Sequence, residues 1–120
     1  MNEPTIPKNF SLENFARIYT SHAFEIASHE ISLNDFDNQV RERTSKELGI
    51  SKELVLNLHH PFHWVFLMEG ESPFEYTSSN KDILKIKAKR NYSSGEIENY
   101  SNQVLKKYGT HLQAKINLMN

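Results

Sequence analysis

The stretch LHHPFHWVFLMEGES, residues 58 to 72, sets a proline between three histidines and an unbroken apolar run, Trp64 to Met68. Proline donates no backbone hydrogen bond, so it is excluded from the middle of a central strand and disrupts a helix interior. The element preceding residue 61 is therefore expected to end near His60. Leu54, Leu56 and Leu58 alternate with Val55, Asn57 and His59, which reads as a strand up to that point. HHPFH is then a corner. Trp64 to Met68, lacking polar alternation, reads as a second strand covered on both faces, and EGESP as the turn that ends it. Residues 70 to 81 read as the longest polar connection.

Upstream, residues 1 to 10 carry Pro4 and Pro7 and read as an extended lead-in. Ser11 is a candidate N-cap. Leu12, Phe15, Ala16, Tyr19, Ala23, Ile26 and Ala27 recur at helical spacing and predict one long amphipathic helix to about Glu30. A competing reading makes HAFEIAS, residues 22 to 28, a strand. A second helix is marked by Ser32 or Asn34 as cap, by Asp35 and Asp37 at its N-terminal dipole, and by a stripe of Phe36, Val40, Thr44 and Leu48. Gly49 is placed to close it in a left-handed conformation, with Ile50 making the accompanying apolar contact.

Downstream, Leu84, Ile86 and Ala88 alternate with Lys85, Lys87 and Lys89, the period of a half-buried strand. Ser93 and Glu96 have capping-box spacing, Ile97, Tyr100, Val104 and Tyr108 form a helical stripe, and Gly109 reads as its terminator. HLQAKINLM then alternates, with Leu112, Ala114, Ile116 and Leu118 facing one way. The expected architecture is α+β: two N-terminal helices, then a three- to four-stranded sheet with a C-terminal β-α-β unit and helices on one face. Residues 11 to 120 form its single domain. Were HAFEIAS a strand, the chain would hold two strand-helix-strand units, an arrangement that resembles the tautomerase superfamily. That family's general base is an amino-terminal proline directly before the first strand. Here Pro4 and Pro7 precede a long extension, so the resemblance covers no catalytic motif.

Composition narrows the chemistry. With no cysteine among 120 residues there is no disulfide, thiolate nucleophile or Cys-ligated zinc. MNEPTIPKNF lacks the charged and apolar regions of a secretory signal, and no apolar run is long enough to span a bilayer, so a cytoplasmic location is expected. The net charge of −1 hides an asymmetry: residues 1 to 80 hold six Lys/Arg against twelve Asp/Glu, whereas residues 81 to 120 hold eight against three. Charge segregation of this kind can steer a partner.

Four functional readings follow. His59, His60 and His63 could supply zinc ligands with Glu69, but Pro61 is expected to break their register and no second ligand pair stands elsewhere, so no metal and no cofactor is expected. A metal-independent ribonuclease could use His60 and His63 as its acid-base pair, with Lys87, Lys89 and Arg90 holding phosphate. RERTSKELGISKELVLNL, residues 41 to 58, resembles a helix-turn-helix of the phage-repressor type, with small Ser45, Gly49 at the turn, and Leu48, Ile50 and Val55 at core positions. That resemblance implies DNA binding by a second helix exposing Ser51, Lys52, Glu53 and Asn57. It is set against a single cation there, an acidic N-terminal half, and the strand-like Leu-Val-Leu run.

The leading expectation is a small protein-binding module, an inhibitor, immunity-type, adaptor or regulatory protein. Its contact face would be Lys85, Lys87, Lys89, Arg90 and Lys115, meeting a partner with an acidic surface or a second copy of the chain, with nucleic acid ranked behind and no membrane.

Overall fold

The computed structural model describes residues 6–78 and 83–119. Helix α1, Leu12–Ile26, starts at Ser11, whose hydroxyl accepts from the Asn14 amide at 3.1 Å, and it buries Phe15, Ala16, Tyr19, Ala23, Phe24 and Ile26. A short strand β1, Ile31–Ser32, leads directly into α2, Leu33–Leu48, where the Ser32 hydroxyl accepts from the Asp35 amide. Each helix thus begins with one of its orphan amides satisfied by a serine oxygen.

Gly49, at φ 63° and ψ 36°, closes α2 in the left-handed region, and the Ile50 amide reaches back to the Ser45 carbonyl at 3.1 Å. Helix α3, Lys52–Leu58, follows at once, with Ser51 accepting from the Leu54 amide. The chain stays helical through α4, His60–His63, and then a π-helical turn, Trp64–Met68. Strands β2, Phe74–Tyr76, and β3, Lys85–Ala88, make an antiparallel hairpin, and α5, Ser94–Met119, completes the chain.

The sheet order is β1-β3-β2, antiparallel throughout. Ile31 pairs with Ile86 and Tyr76 pairs with Ile86 from the other side, so Ile86, fully buried, is the centre of the sheet's inner face. Helix α5 packs chiefly on α1, which packs in turn on α2. Between them lies a continuous aromatic core. Phe15 and Tyr19 of α1 meet Phe62 of α4 with ring centroids 5.7 and 4.7 Å apart, and Phe24 meets Phe66 and Phe74 at 5.7 and 4.9 Å.

These elements overturn the expected architecture: the protein is mostly helical, and of the three strands in its small sheet only the central one, Lys85–Ala88, was expected. HLQAKINLM is not a strand but the last part of α5, so there is no C-terminal β-α-β unit. The stripe at Val104, Tyr108, Leu112 and Ile116 runs on at helical period, while Ala114 and Leu118, inward in the strand reading, are exposed. Gly109 does not terminate the helix. LVLNL is helix rather than strand, because the Ser51 cap starts a turn that buries Leu54, Val55 and Leu58 together.

The element before Pro61 does end near His60, at Leu58, but it is the helix α3 rather than a strand. Pro61 stands in the first turn of α4, where its missing N–H would have had no intrahelical acceptor in any case. The run Trp64 to Met68, expected as a core strand, is the π-helical turn. Residues 22–26 are helical, as the long-helix reading has it, and part of the polar connection at 70 to 81 is strand β2; residues 79–82 lie outside the described residues. Only Lys85–Ala88 is a strand where a strand was expected.

Phe74 touches Phe24, Phe36 and Phe66, so it joins α1, α2, the π-helical turn and the hairpin. Phe74→Ala is expected to cost about 3–5 kcal/mol of unfolding free energy, whereas Leu118→Ala, at a side chain 86% exposed, should stay within about 0.5 kcal/mol. Equilibrium denaturation of the two variants checks this contrast.

Candidate nucleic-acid interface

The junction of α2 and α3 positions one exposed face. Three residues, Gly49, Ile50 and Ser51, separate the two helices, and Thr44, Ser45, Ile50, Val55 and Leu58 are buried along their contact. Burial of the apolar members anchors α3 by roughly 1.5–3 kcal/mol per side chain. What they leave outside is a helical stripe: Lys52, Glu53, Leu56, Asn57 and His60 are all exposed. Their spacing continues across the α3–α4 boundary because His59 keeps a right-handed helical conformation there.

Two contacts hold the stripe in place. The Lys115 ammonium of α5 donates to the Asn57 carbonyl at 3.0 Å, and the Asn57 side-chain amide donates to the Glu53 carbonyl at 2.7 Å. The β2–β3 hairpin follows the same helical segment in the chain and is tied to it by Phe74 packing on Phe66.

Behind the stripe lie His59 and His63, and His63 meets Phe36 and Asp37 of α2. His59, 5% exposed, stacks on His63 with centroids 4.6 Å apart, and His60 sits edge-on to His59 at 4.4 Å. Pro61 therefore does not break the register of His59 and His63. His63 Nε2 lies 2.8 Å from Asp37 Oδ1, off the hydrogen-bonding direction, which brings α4 close against α2. Burial pushes the His59 pKa down to about 4, and the neighbouring His63 and His60 push the same way. His60 is also lowered, by burial and then by Lys115 and His63. Among the described residues no group of three or more His, Asp or Glu is arranged to hold a metal ion.

The residues assigned from sequence to a basic face fall on separate supports. Lys85 and Lys87 project from the outer side of β3, where Lys85 lies 3.7 Å from Glu30 and Lys87 is in register with Glu75. Lys89 follows the strand and is exposed. Arg90 lies over the Tyr92 ring and is paired with Glu96, which drives the Glu96 carboxyl down to about 2. Lys115 stands on α5 against the end of α3. The charges acting on His60 are those of Lys115, His63 and Asp37, with neither Lys87 nor Arg90 among them.

The acidity of the first eighty residues is offset only in part, by Lys85 and Lys107, since Arg43 belongs to the same eighty residues and a histidine offsets a carboxylate only when protonated. Glu25 pairs with Arg43, Glu30 with Lys85, Asp37 with His63, Glu47 with His22, and Glu69 with Lys107. Sequence reasoning placed Ser51, Lys52, Glu53 and Asn57 on the outer side of a second helix, but passed over Leu56 and took His60 for a corner. The signal that unites them is the Ser51–Leu54 cap spacing followed by apolar positions 54, 55, 58 and 62. Among the described residues no helix is long and apolar enough to cross a membrane.

Protonation of His59 favours the unfolded chain, whose histidine titrates near 6.5, over the fold, where it titrates at about 4. The stability its neutral form contributes is present above pH 6.5 and is lost as pH falls from there toward 4. Thermal midpoints measured across this window should fall more steeply for the wild type than for His59→Gln, and parallel curves would contradict the assignment. No family model, no curated protein and no solved structure matches this chain, so the geometry itself is the functional evidence.

Proposed function

We propose that the protein binds double-stranded DNA as a winged helix-turn-helix, with α3–α4 as the recognition helix and the β2–β3 hairpin as the wing. The observation that carries this reading is the exposed stripe Lys52, Glu53, Leu56, Asn57, His60 on the second helix of a Gly49-centred turn. A helix of this kind is held by its inner face and offers its outer face to a major groove, while the preceding helix, here α2, crosses the phosphate backbone. The element order supports it as well: a helix, a strand, the two-helix unit and a hairpin, with the first strand paired to the last.

Charge is the main argument on the other side, since phosphate neutralisation supplies most non-specific affinity. It weakens in part once the acids are followed individually, because Glu30 and Glu69 are paired with Lys85 and Lys107 from the last forty residues. Arg41, Arg43, Lys46 and Lys52 are the basic residues of α2 and α3, set among Asp35, Asp37, Glu42, Glu47 and Glu53, and Arg43 is paired with Glu25.

Two other readings have less support. For the protein-binding module, Lys85 and Arg90 are already engaged by Glu30 and Glu96, and Lys115 stands apart on α5. For the ribonuclease, His63 faces Asp37 while His60 faces outward.

A fluorescently labelled mixed-sequence duplex titrated at several salt concentrations tests the proposal. Binding should weaken linearly on a log–log salt plot, and Lys52→Ala should reduce the slope by about 1 while leaving the fold intact. Absence of duplex binding at low salt, or a triple Lys85→Glu, Lys87→Glu, Lys89→Glu variant that loses all binding while Lys52→Ala loses none, would refute the recognition-helix assignment.

A further inference from the structure

Resting on the DNA-binding reading, we infer that this face selects an adenine·thymine pair, read by the Asn57 carboxamide and the Leu56 side chain together. Asn57 Nδ2 gives one of its two hydrogens to the Glu53 carbonyl at 2.7 Å, a bond to the backbone one helical turn earlier. That bond fixes the plane of the amide. It leaves the second N–H and Oδ1 of this exposed side chain with no other partner among the described residues. One donor beside one acceptor is what the major-groove edge of adenine requires, its N7 accepting and its N6 donating. No other base presents that pair of groups in that groove.

Leu56 supplies the second half. It is 44% exposed, next to Asn57 on the same outward stripe, and it takes no part in the core to which Leu54, Val55 and Leu58 belong. Single exposed apolar side chains are ordinary on a protein surface, and it is the place of Leu56 beside Asn57 on the outward stripe that singles it out. In a major groove it has an apolar counterpart, the C5-methyl of thymine, which cytosine lacks. Adenine and thymine are the two members of one pair, so adjacent residues address the two strands of the same or a neighbouring step. The stripe carries no arginine, and guanine recognition is left to Lys52 at its beginning. The ligand class is therefore a duplex with an A·T pair at the centre of the contact.

Selection from a pool of duplexes with randomised centres, followed by sequencing of the bound fraction, tests this with the wild type, Leu56→Ala and Asn57→Ala. The wild type should enrich an A·T pair, and Asn57→Ala should lower that preference by roughly tenfold, measured relative to its own binding of the unselected pool. Replacing thymine with uracil in the enriched duplex removes only the methyl group, and should weaken the wild type several-fold while leaving Leu56→Ala unaffected. Enrichment that is unchanged in Asn57→Ala, or a uracil substitution felt equally by wild type and Leu56→Ala, overturns the inference. If the wild type binds duplexes without any such preference, this inference alone falls. If it binds none, the DNA-binding reading falls with it.

Discussion

Four phenylalanine rings meet where the pieces of the candidate site converge. Phe24 comes from α1, Phe36 from α2, Phe66 from the π-helical turn and Phe74 from β2, and Phe74 touches the other three. Without this junction the hairpin would have little to hold it beside the helices, since β1 and β2 are two and three residues long and their ladder bonds are few. Tilted and edge-to-face ring packing is directional as well as apolar, so it fixes the angle at which the sheet meets the helical layer. The outward stripe on α3–α4 follows from that arrangement, because the same helix that buries Phe62 and Phe66 must turn Leu56, Asn57 and His60 to solvent.

Part of this was legible from the residues. Ser11, Ser32 and Gly49 mark ends that the structure uses, and the Lys85–Ala88 alternation is a real strand, because in each case a local rule acts without competition. The errors share one cause. LVLNL and HLQAKINLM each fit period 2 and period 3.6 over their short length, and periodicity alone cannot separate them. What decides is the neighbourhood. Leu112 and Ile116 continue a stripe begun fifteen residues or more earlier at Ile97, and Leu54, Val55 and Leu58 continue into Phe62 across a proline that a helix tolerates in its first turn.

The candidate site was half visible for the same reason. Residues 41 to 58 resemble a helix-turn-helix in sequence, and α2, the Gly49 turn and α3 follow that order of elements. Reading residue 54 onward as a strand removed the second helix, and with it the outward register of Leu56 and the continuation to His60. The hairpin could not be anticipated, because Phe74–Tyr76 lies in a stretch of polar composition and is ordered by its pairing with β3 and by Phe74 reaching the aromatic junction. The basic alternation of β3, the most conspicuous charge pattern in the sequence, is partly spent within the fold on Glu30 and set opposite Glu75.

The central claim is that the outer face of α3–α4 is the surface that meets DNA. Amide chemical-shift mapping on the isotopically labelled chain, titrated with a duplex of about two helical turns, reads that surface directly. The account predicts that the largest changes fall on Lys52, Glu53, Leu56, Asn57 and His60, with a second set in the β2–β3 hairpin. Changes confined to the groove between α1 and α5 lined by Arg17, Ser21 and Ile97, or to Lys87, Lys89 and Arg90 without any on α3, would contradict it.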